Sequence, residues 1–230
     1  MALPILNDTP TYNIAIPSTG KKVKFRPYLV KEEKILLMAN ETKDPDEILR
    51  AIVETLRACS FGTLDVSNLA TFDVEYLFLR VRARSVGENV TLFLPCAKCE
   101  TRNEYVMNLD NVACPVDDNK DMLIPITDSI SVEMQYRSHE DTFQGDETKD
   151  MVSVIASCIR AVVTEDERIG LEDETEEEIQ KFLESLTREQ FKVLADFVKD
   201  LPQVQYLIKF DCESCGEDNE IEIKGFENFF

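Results

Sequence analysis

The sequence has 230 residues, 43% of them hydrophobic, which is enough to bury a sizeable core in one large domain or two small ones. It carries 25 Lys and Arg against 45 Asp and Glu, a formal net charge of −20, and this balance argues against general affinity for a nucleic-acid backbone. The N-terminus lacks the pattern of a secretory signal, and no apolar run reaches the roughly 18 residues of a membrane helix. We therefore expect a soluble protein of a reducing compartment that binds neither membrane nor nucleic acid.

The first third of the chain predicts a two-stranded hairpin followed by three helices. Apolar residues alternate with small or polar ones over 12–16 and again at 23–25, and a Pro-Ser-Thr-Gly turn lies between them. Helices are expected at 30–39, directly after Asp44, and at 72–85. The second of these opens on the Asp44 carboxylate, which can cap the helix, and has proline at its first position.

A cysteine motif then occurs twice, with 112 residues between the two pairs. The copies are Cys96-Ala-Lys-Cys99 and Cys212-Glu-Ser-Cys215, and in both an Asn-Glu dipeptide begins four residues after the second cysteine. A strand-like apolar run precedes each pair and alternating apolar residues follow it, so each copy predicts a strand, a metal knuckle and a second strand. Four thiolates suit a tetrahedral structural zinc site that leaves no position for a catalytic water. The predicted zinc ligands are Cys96, Cys99, Cys212 and Cys215.

The two copies differ at the residue that follows the second cysteine. Gly216 suits the tight turn of a knuckle, whereas Glu100 in the first copy predicts a less regular turn. Two other interpretations of the motif remain open, namely free thiol pairs and a thiol-disulfide oxidoreductase. An oxidoreductase would place its CxxC at the start of a helix, and strands are predicted here instead.

The remaining reactive residues do not form a catalytic set. Cys59 and Cys158 lie among apolar residues and are expected in the core, while Cys114 lies in a loop and indicates nothing. His139 is the single histidine and is expected in an exposed loop, so an acid-base pair of histidines and a histidine triad of the usual kind are excluded. We therefore predict a protein that is not an enzyme and has no catalytic residues.

The region between the cysteine pairs predicts strands and then helices. Strand-like spacing covers 124–136 and a helix is expected over 151–162. An acidic connector follows, with nine acids and one base over 165–178, and capping boxes at Thr175 and Thr187 open two further helices. Three aromatic residues close the sequence, and they either fold back onto the core or insert into a neighbour: Phe226, Phe229 and Phe230.

These elements predict an α+β fold in which several helices surround short antiparallel strands, with a zinc-ribbon-like module formed by the two distant CxxC knuckles. We expect a single domain over 1–230. Its parts are an N-terminal hairpin and helices at 1–88, a zinc module at 89–110 plus 205–224, and a mostly helical excursion at 113–204. Zinc would tie the middle of the chain to its C-terminus, so chelation is expected to loosen the whole fold.

Three segments of this sequence resemble a known family. They are the string Phe-Arg-Pro-Tyr-Leu-Val-Lys-Glu-Glu-Lys-Ile-Leu-Leu-Met at 25–38, the helix end Leu-Arg-Val-Arg-Ala-Arg-Ser-Val-Gly-Glu at 79–88, and the CxxC copies. Together they resemble the baseplate hub protein family of T-even-type bacteriophages, through 20–112 and again over 187–226. The middle, 113–186, matches only loosely, and the Arg-Pro-Tyr string is the most specific part.

The resemblance implies a non-enzymatic component of contractile-tail baseplate assembly, either a hub subunit or an assembly factor of the chaperone type. The implied partners are other hub and tail proteins, with the tape-measure protein as one candidate. The implied location is the host cytoplasm during assembly or the tail baseplate of the virion. Two alternatives from other classes are a zinc-ribbon regulator that binds nucleic acid, which the net charge of −20 disfavours, and the thiol-disulfide oxidoreductase.

Overall fold

The computed structural model describes residues 9–67, 69–139 and 151–225. The chain divides into two compact units, Met1–Val116 with Gln203–Phe230, and Asp117–Pro202. Helices and antiparallel strands occur in both, so the predicted α+β class is confirmed. The three C-terminal aromatics lie outside the described residues. Within those residues, no helix combines the length and the apolar character needed to cross a membrane.

The first unit begins with the predicted hairpin and three helices. Strands β1 (Tyr12–Ala15) and β2 (Lys22–Phe25) pair antiparallel, and α1 (Val30–Thr42), α2 (Pro45–Cys59) and α3 (Thr71–Ser85) follow. Asp44 caps α2 by accepting from the N–H groups of two residues in its first turn, as the sequence predicted.

A buried aspartate holds the hairpin turn against the start of α3. The Asp73 carboxylate accepts hydrogen bonds from the N–H and hydroxyl of Ser18, at 2.9 and 2.6 Å, and from the N–H of Ala70 at 3.2 Å. Burial nevertheless raises the pKa of Asp73, because removing the charged form from water outweighs these three hydrogen bonds.

Two further hairpins complete the first unit. Strands β3 (Asn89–Pro95) and β4 (Arg102–Asn108) form one, and β9 (Gln205–Asp211) and β10 (Asp218–Lys224) form the other, each antiparallel. One cluster of buried side chains unites both hairpins with α3: Leu79, Ala83, Met107, Leu109, Val112, Val204, Tyr206, Ile208 and Ile223. Ala113 pairs with Gln205, the first residue of β9, through two backbone hydrogen bonds of 3.0 and 2.8 Å. This pairing brings together the two segments between which the second unit is inserted.

The second unit is built on a four-stranded antiparallel sheet in chain order. Its strands are β5 (Leu123–Pro125), β6 (Ile130–Met134), β7 (Ile159–Thr164) and β8 (Arg168–Gly170), and its helices are α4 (Met151–Ser157), α5 (Glu176–Ser185) and α6 (Arg188–Lys199). Both predicted capping boxes, at Thr175 and Thr187, are present. A separate apolar cluster fills this unit, including Val132, Ile155, Cys158, Leu183 and Leu194.

Two expectations for the second unit were wrong. The helix expected over 151–162 ends at Ser157, because the β-branched run that follows pairs with β6 as strand β7.

The second wrong expectation concerns His139, which is only 2% exposed rather than lying in an exposed loop. The chain after β6 stays packed, since the N–H of Gln135 donates to the carbonyl of Cys158 at 2.7 Å. In its described residues, the excursion predicted to be mostly helical therefore contains a sheet as well as α4, α5 and α6. A single domain over the whole chain stays a prediction.

Candidate metal centre

The four predicted ligands meet at one point of the first unit. Their sulfur atoms all lie within 4.8 Å of one another, with Cys96 3.8 Å from Cys215 and Cys99 3.5 Å from Cys212. Four sulfurs bound to zinc at about 2.3 Å in a tetrahedron lie about 3.8 Å apart, so the arrangement fits such an ion. Cys96 and Cys212 are buried, while Cys99 and Cys215 lie at the surface. Among the described residues this is the one group of three or more Cys, His, Asp or Glu side chains with metal-binding geometry.

Each pair of cysteines lies on a tight turn that closes its hairpin, and the two turns have the same hydrogen bonds. In the first, the N–H of Cys96 donates to Thr101 at 2.9 Å and the N–H of Glu100 donates to the Cys96 carbonyl at 3.0 Å. In the second, the equivalent bonds join Cys212 to Glu217 at 2.9 Å and Gly216 to Cys212 at 2.8 Å.

The expectation of a less regular first turn was wrong. Glu100 has φ +58° and Gly216 has φ +69°, so both occupy the left-handed region. That conformation costs a residue with a side chain roughly 1–2 kcal/mol, and Glu100 adopts it nonetheless.

Two buried asparagines connect the turns reciprocally, and we refer to Asn103 and Asn219 as the asparagine pair. The Asn219 side-chain oxygen accepts from the N–H of Ala97 in the first turn at 2.9 Å, and the Asn103 oxygen accepts from the N–H of Glu213 in the second, also at 2.9 Å. Each amide group also donates to a carbonyl of its own turn, at 2.8 Å for Asn103 and 2.7 Å for Asn219. Each hairpin therefore holds the cysteine turn of the other as well as its own.

The asparagine pair was missed as part of the site. The sequence contained its signal, since both asparagines lie four residues after the second cysteine of their copy. They are 2% and 6% exposed, and a buried amide side chain needs hydrogen-bond partners, which these two find across the pair of hairpins.

The electrostatics of the four thiols favour the binding of a cation. Backbone N–H groups of Cys99 and Lys98 lower the pKa of Cys96 to about 6. A backbone N–H of Glu217 acts to lower the pKa of Cys215, but the neighbouring thiols, Cys99 first, raise it to about 12. Several negative charges within 5 Å oppose one another, so the thiols cannot all ionise easily unless a cation offsets them. Four sulfur ligands would leave no open position on that ion, which suits structural binding rather than catalysis.

The other cysteines lie apart from this centre. Cys59 is buried in the first unit and Cys158 in the second, as expected for small core residues, and burial raises the pKa of Cys59 to about 11. Cys114 is half-buried, and burial raises the pKa of its thiol to about 12, so it is a poor nucleophile. The two CxxC pairs end strands β3 and β9 rather than opening helices. This location lacks the helix N-terminus that activates an oxidoreductase cysteine.

Comparison with known proteins gives one consistent result. The family model described as "T4 bacteriophage base plate protein" matches residues 9–230. The baseplate hub assembly protein gp26 of Enterobacteria phage T4 is 22% identical over 219 residues, which cover 95% of this chain and 97% of that protein. None of the solved structures matches the chain. The family model covers nearly the whole chain, both cysteine pairs included, and the chain therefore belongs to the T4 bacteriophage base plate protein family.

Proposed function

We propose that this chain is a non-enzymatic structural or assembly component of the baseplate hub of a contractile phage tail. The observation that carries the proposal is the family match over residues 9–230, together with a relative named as a baseplate hub assembly protein that aligns along almost its full length. The alignment includes the inserted unit as well as the metal centre, so the proposal concerns the whole chain and not only one module.

The four cysteines would hold a structural zinc ion as part of this role. The ion would join the β3–β4 turn to the β9–β10 turn and would complete a zinc-ribbon-like module from two distant parts of the sequence. Structural zinc contributes ~10–16 kcal/mol in finger peptides at neutral pH, which is large beside total stabilities of about 5–15 kcal/mol. The sulfur distances of 3.5 and 3.8 Å and the reciprocal asparagine pair support this assignment.

The zinc-stabilised chain would act as a rigid adaptor that binds other hub and tail proteins. A centre closed by four sulfurs offers no position to a substrate, so the function would depend on surfaces. The acidic segment 165–178 and the net charge of −20 favour partners with basic surfaces there, and the tape-measure protein remains one candidate. Such an adaptor would work in the host cytoplasm during assembly and would be either released or kept in the tail baseplate.

The test is a virus from which this gene has been deleted, complemented by the wild-type chain or by variants. We expect the deletion to abolish complete baseplates and the wild-type chain to restore them. The double variant Cys96→Ser with Cys212→Ser should fail to restore them at elevated temperature, whereas the matched variant Cys114→Ser, outside the metal centre, should succeed. Normal baseplates in the absence of the gene would refute the proposed function, as counted by electron microscopy of the lysate.

A further inference from the structure

Helix α1 exposes several large apolar side chains to solvent on one side. Of the fourteen large exposed hydrophobic side chains among the described residues, five lie between positions 29 and 38. Four of them are on α1, with exposed fractions of 80% for Val30, 60% for Leu37, 58% for Met38 and 45% for Ile35. At 100° per residue these four fall within one arc of about 160°, and we call them the α1 outer face. The largest apolar patches on protein surfaces are often binding sites.

The Arg-Pro-Tyr string, the most specific part of the sequence resemblance, anchors α1 from its inner side. The Arg26 guanidinium pairs with the Glu32 carboxylate at 2.8 Å, and both side chains are about nine-tenths or more buried. Glu32 also caps the helix by accepting from the N–H of Leu29 at 2.8 Å, and the N–H of Arg26 donates to the Cys59 carbonyl at the end of α2. The apolar outer face therefore belongs to a helix whose first turn is fixed to the core.

A strained aromatic residue lies beside this helix. Phe61 follows the end of α2 at φ +58°, a conformation that glycine adopts without cost, and its side chain is 55% exposed. The N–H of Gly62 donates to the Arg57 carbonyl at 3.0 Å, so this conformation closes the end of α2 and leaves the aromatic ring at the surface.

The exposed charges near Phe61 and on the α1 outer face differ from those of the chain as a whole. The surface depression that contains Phe61 is lined by Arg26, whose charge the buried Glu32 carboxylate offsets, and by the exposed side chains of Lys31, Arg57 and Glu54. The Lys31 side chain is 71% exposed, and Lys34 and Glu41 lie exposed within the arc of the α1 outer face. Three exposed cations thus face two exposed acids, and on a chain of net charge −20 this small positive excess favours an acidic occupant.

The size of the face argues against a second copy as the occupant. Helix α1 has 13 residues and is about 20 Å long, so a strip about 15 Å wide along it covers roughly 300 Å². Two copies joined through it would bury about 600 Å², well under the ~1,200 Å² of a stable interface. An amphipathic helix of a partner can bind through such a face, because a few apolar anchors carry most of its binding energy.

We propose that the α1 outer face and Phe61 bind an acidic amphipathic helix of another baseplate protein. The proposal rests on the proposed function, which supplies the class of partner. The apolar residues of that helix would cover Val30, Leu37 and Met38, and its carboxylates would meet Lys31, Lys34 and Arg57. Phe61 would contribute an aromatic anchor at the edge.

The test measures binding of the purified full chain to each other baseplate protein of the same virus, purified one at a time. Three variants alter the proposed surface: Leu37→Glu with Met38→Glu, Lys31→Glu with Lys34→Glu, and Phe61→Gly. The matched control is Leu207→Glu, which replaces a 50% exposed side chain on strand β9. We expect the first two variants to raise the Kd for one of these proteins at least about tenfold, and added salt to weaken wild-type binding.

Phe61→Gly separates a binding role from a structural one. Glycine relieves the strain at φ +58°, so this variant should melt at a higher temperature than the wild type and yet bind the partner more weakly. The control Leu207→Glu should bind normally.

Equal binding by all three variants would overturn the inference and leave the proposed function standing. Self-association of the wild-type chain that the same variants abolish would also overturn it, because the occupant would then be a second copy. A wild-type chain that binds none of these proteins overturns it as well. If, in addition, a virus without the gene makes normal baseplates, the proposed function itself has failed.

Discussion

Replacing either member of the asparagine pair by alanine should weaken the metal centre without removing a ligand. Asn103→Ala and Asn219→Ala each delete two hydrogen bonds, one to the opposite cysteine turn at 2.9 Å and one to the residue's own turn at 2.8 or 2.7 Å. The N–H groups left behind belong to Ala97 and Glu213, which are exposed and can be hydrated by water. The cost therefore stays near the ordinary net value of about 1 kcal/mol for each bond, or about 2 kcal/mol for each variant.

If the lost bonds form fully only around the bound ion, about 2 kcal/mol corresponds to a roughly 30-fold loss of zinc affinity. This agrees with the 10–100-fold effects typical of groups that orient metal ligands. The Asn219 amide also lies 3.6 Å from the Cys96 sulfur, so Asn219→Ala should cost at least as much as Asn103→Ala. Competition against a chromophoric zinc chelator measures the affinity, and thermal melting of the loaded protein measures the stability.

Asn89→Ala is the matched control, since Asn89 is an exposed asparagine of the β3–β4 hairpin whose side-chain oxygen accepts a hydrogen bond from Asn108 at 3.3 Å. It should leave zinc affinity unchanged. Two results would refute the reasoning about the reciprocal pair. One is wild-type affinity and melting in both variants. The other is a loss confined to one variant, which would mean that the two turns do not depend on each other.

Three further predictions concern the metal and the anchored helix. Zinc affinity should fall as the pH is lowered, because binding requires all four thiols to lose their protons, and titrations at several pH values with proton release measured alongside test this. Chelation should raise the rate of hydrogen exchange in the hairpins 89–108 and 205–224 more than in 117–202, because the latter has its own apolar cluster. A uniform rise would instead favour the loosening of the whole fold that the sequence led us to expect. Arg26→Ala should destabilise the chain by about 3–5 kcal/mol in urea unfolding, since it leaves Glu32 buried without its partner, whereas Lys24→Ala, at an exposed position, should cost under ~0.5 kcal/mol. Burial alone would raise the pKa of Glu32, but hydrogen bonds from Arg26 and Leu29 lower it. The stabilising effect of Glu32 should therefore be complete at pH values above the usual pKa of a carboxyl group and lost as the pH falls through its lowered pKa. Urea unfolding curves at a series of pH values show whether Arg26→Ala removes that dependence.

Local signals in the sequence predicted much of this structure. The capping residues Asp44, Thr175 and Thr187 each placed a helix start correctly, because a cap acts within three residues of itself. The doubled CxxC predicted which cysteines meet, since the strands on either side required two hairpins. The misses depend on contacts between distant segments. The apolar run through 155–162 has a period that fits a helix, and pairing with β6 ends that helix at Ser157. The asparagine pair connects positions 116 residues apart, and only the fold shows that each reaches the other turn.

The two hairpins indicate which of their positions stabilise the fold and which are available for recognition of a partner. Shifting the first copy by 116 positions aligns it with the second, and the inward positions then agree in character: Asn103 with Asn219, and Met107 with Ile223, all buried. Some outward positions differ. Phe93 and Val106, exposed by 63% and 56%, align with the exposed Lys209 and Glu222, whereas the outward pair Glu104 and Glu220 agrees. The inward side chains of both hairpins must fit the same kind of cysteine turn and the same core, which restricts the residues that can occupy those positions. No such restriction applies to the outward positions. The apolar outward side chains of the first hairpin, Phe93 and Val106, together with the α1 outer face, are therefore where a chain held together in this way can distinguish one partner from another.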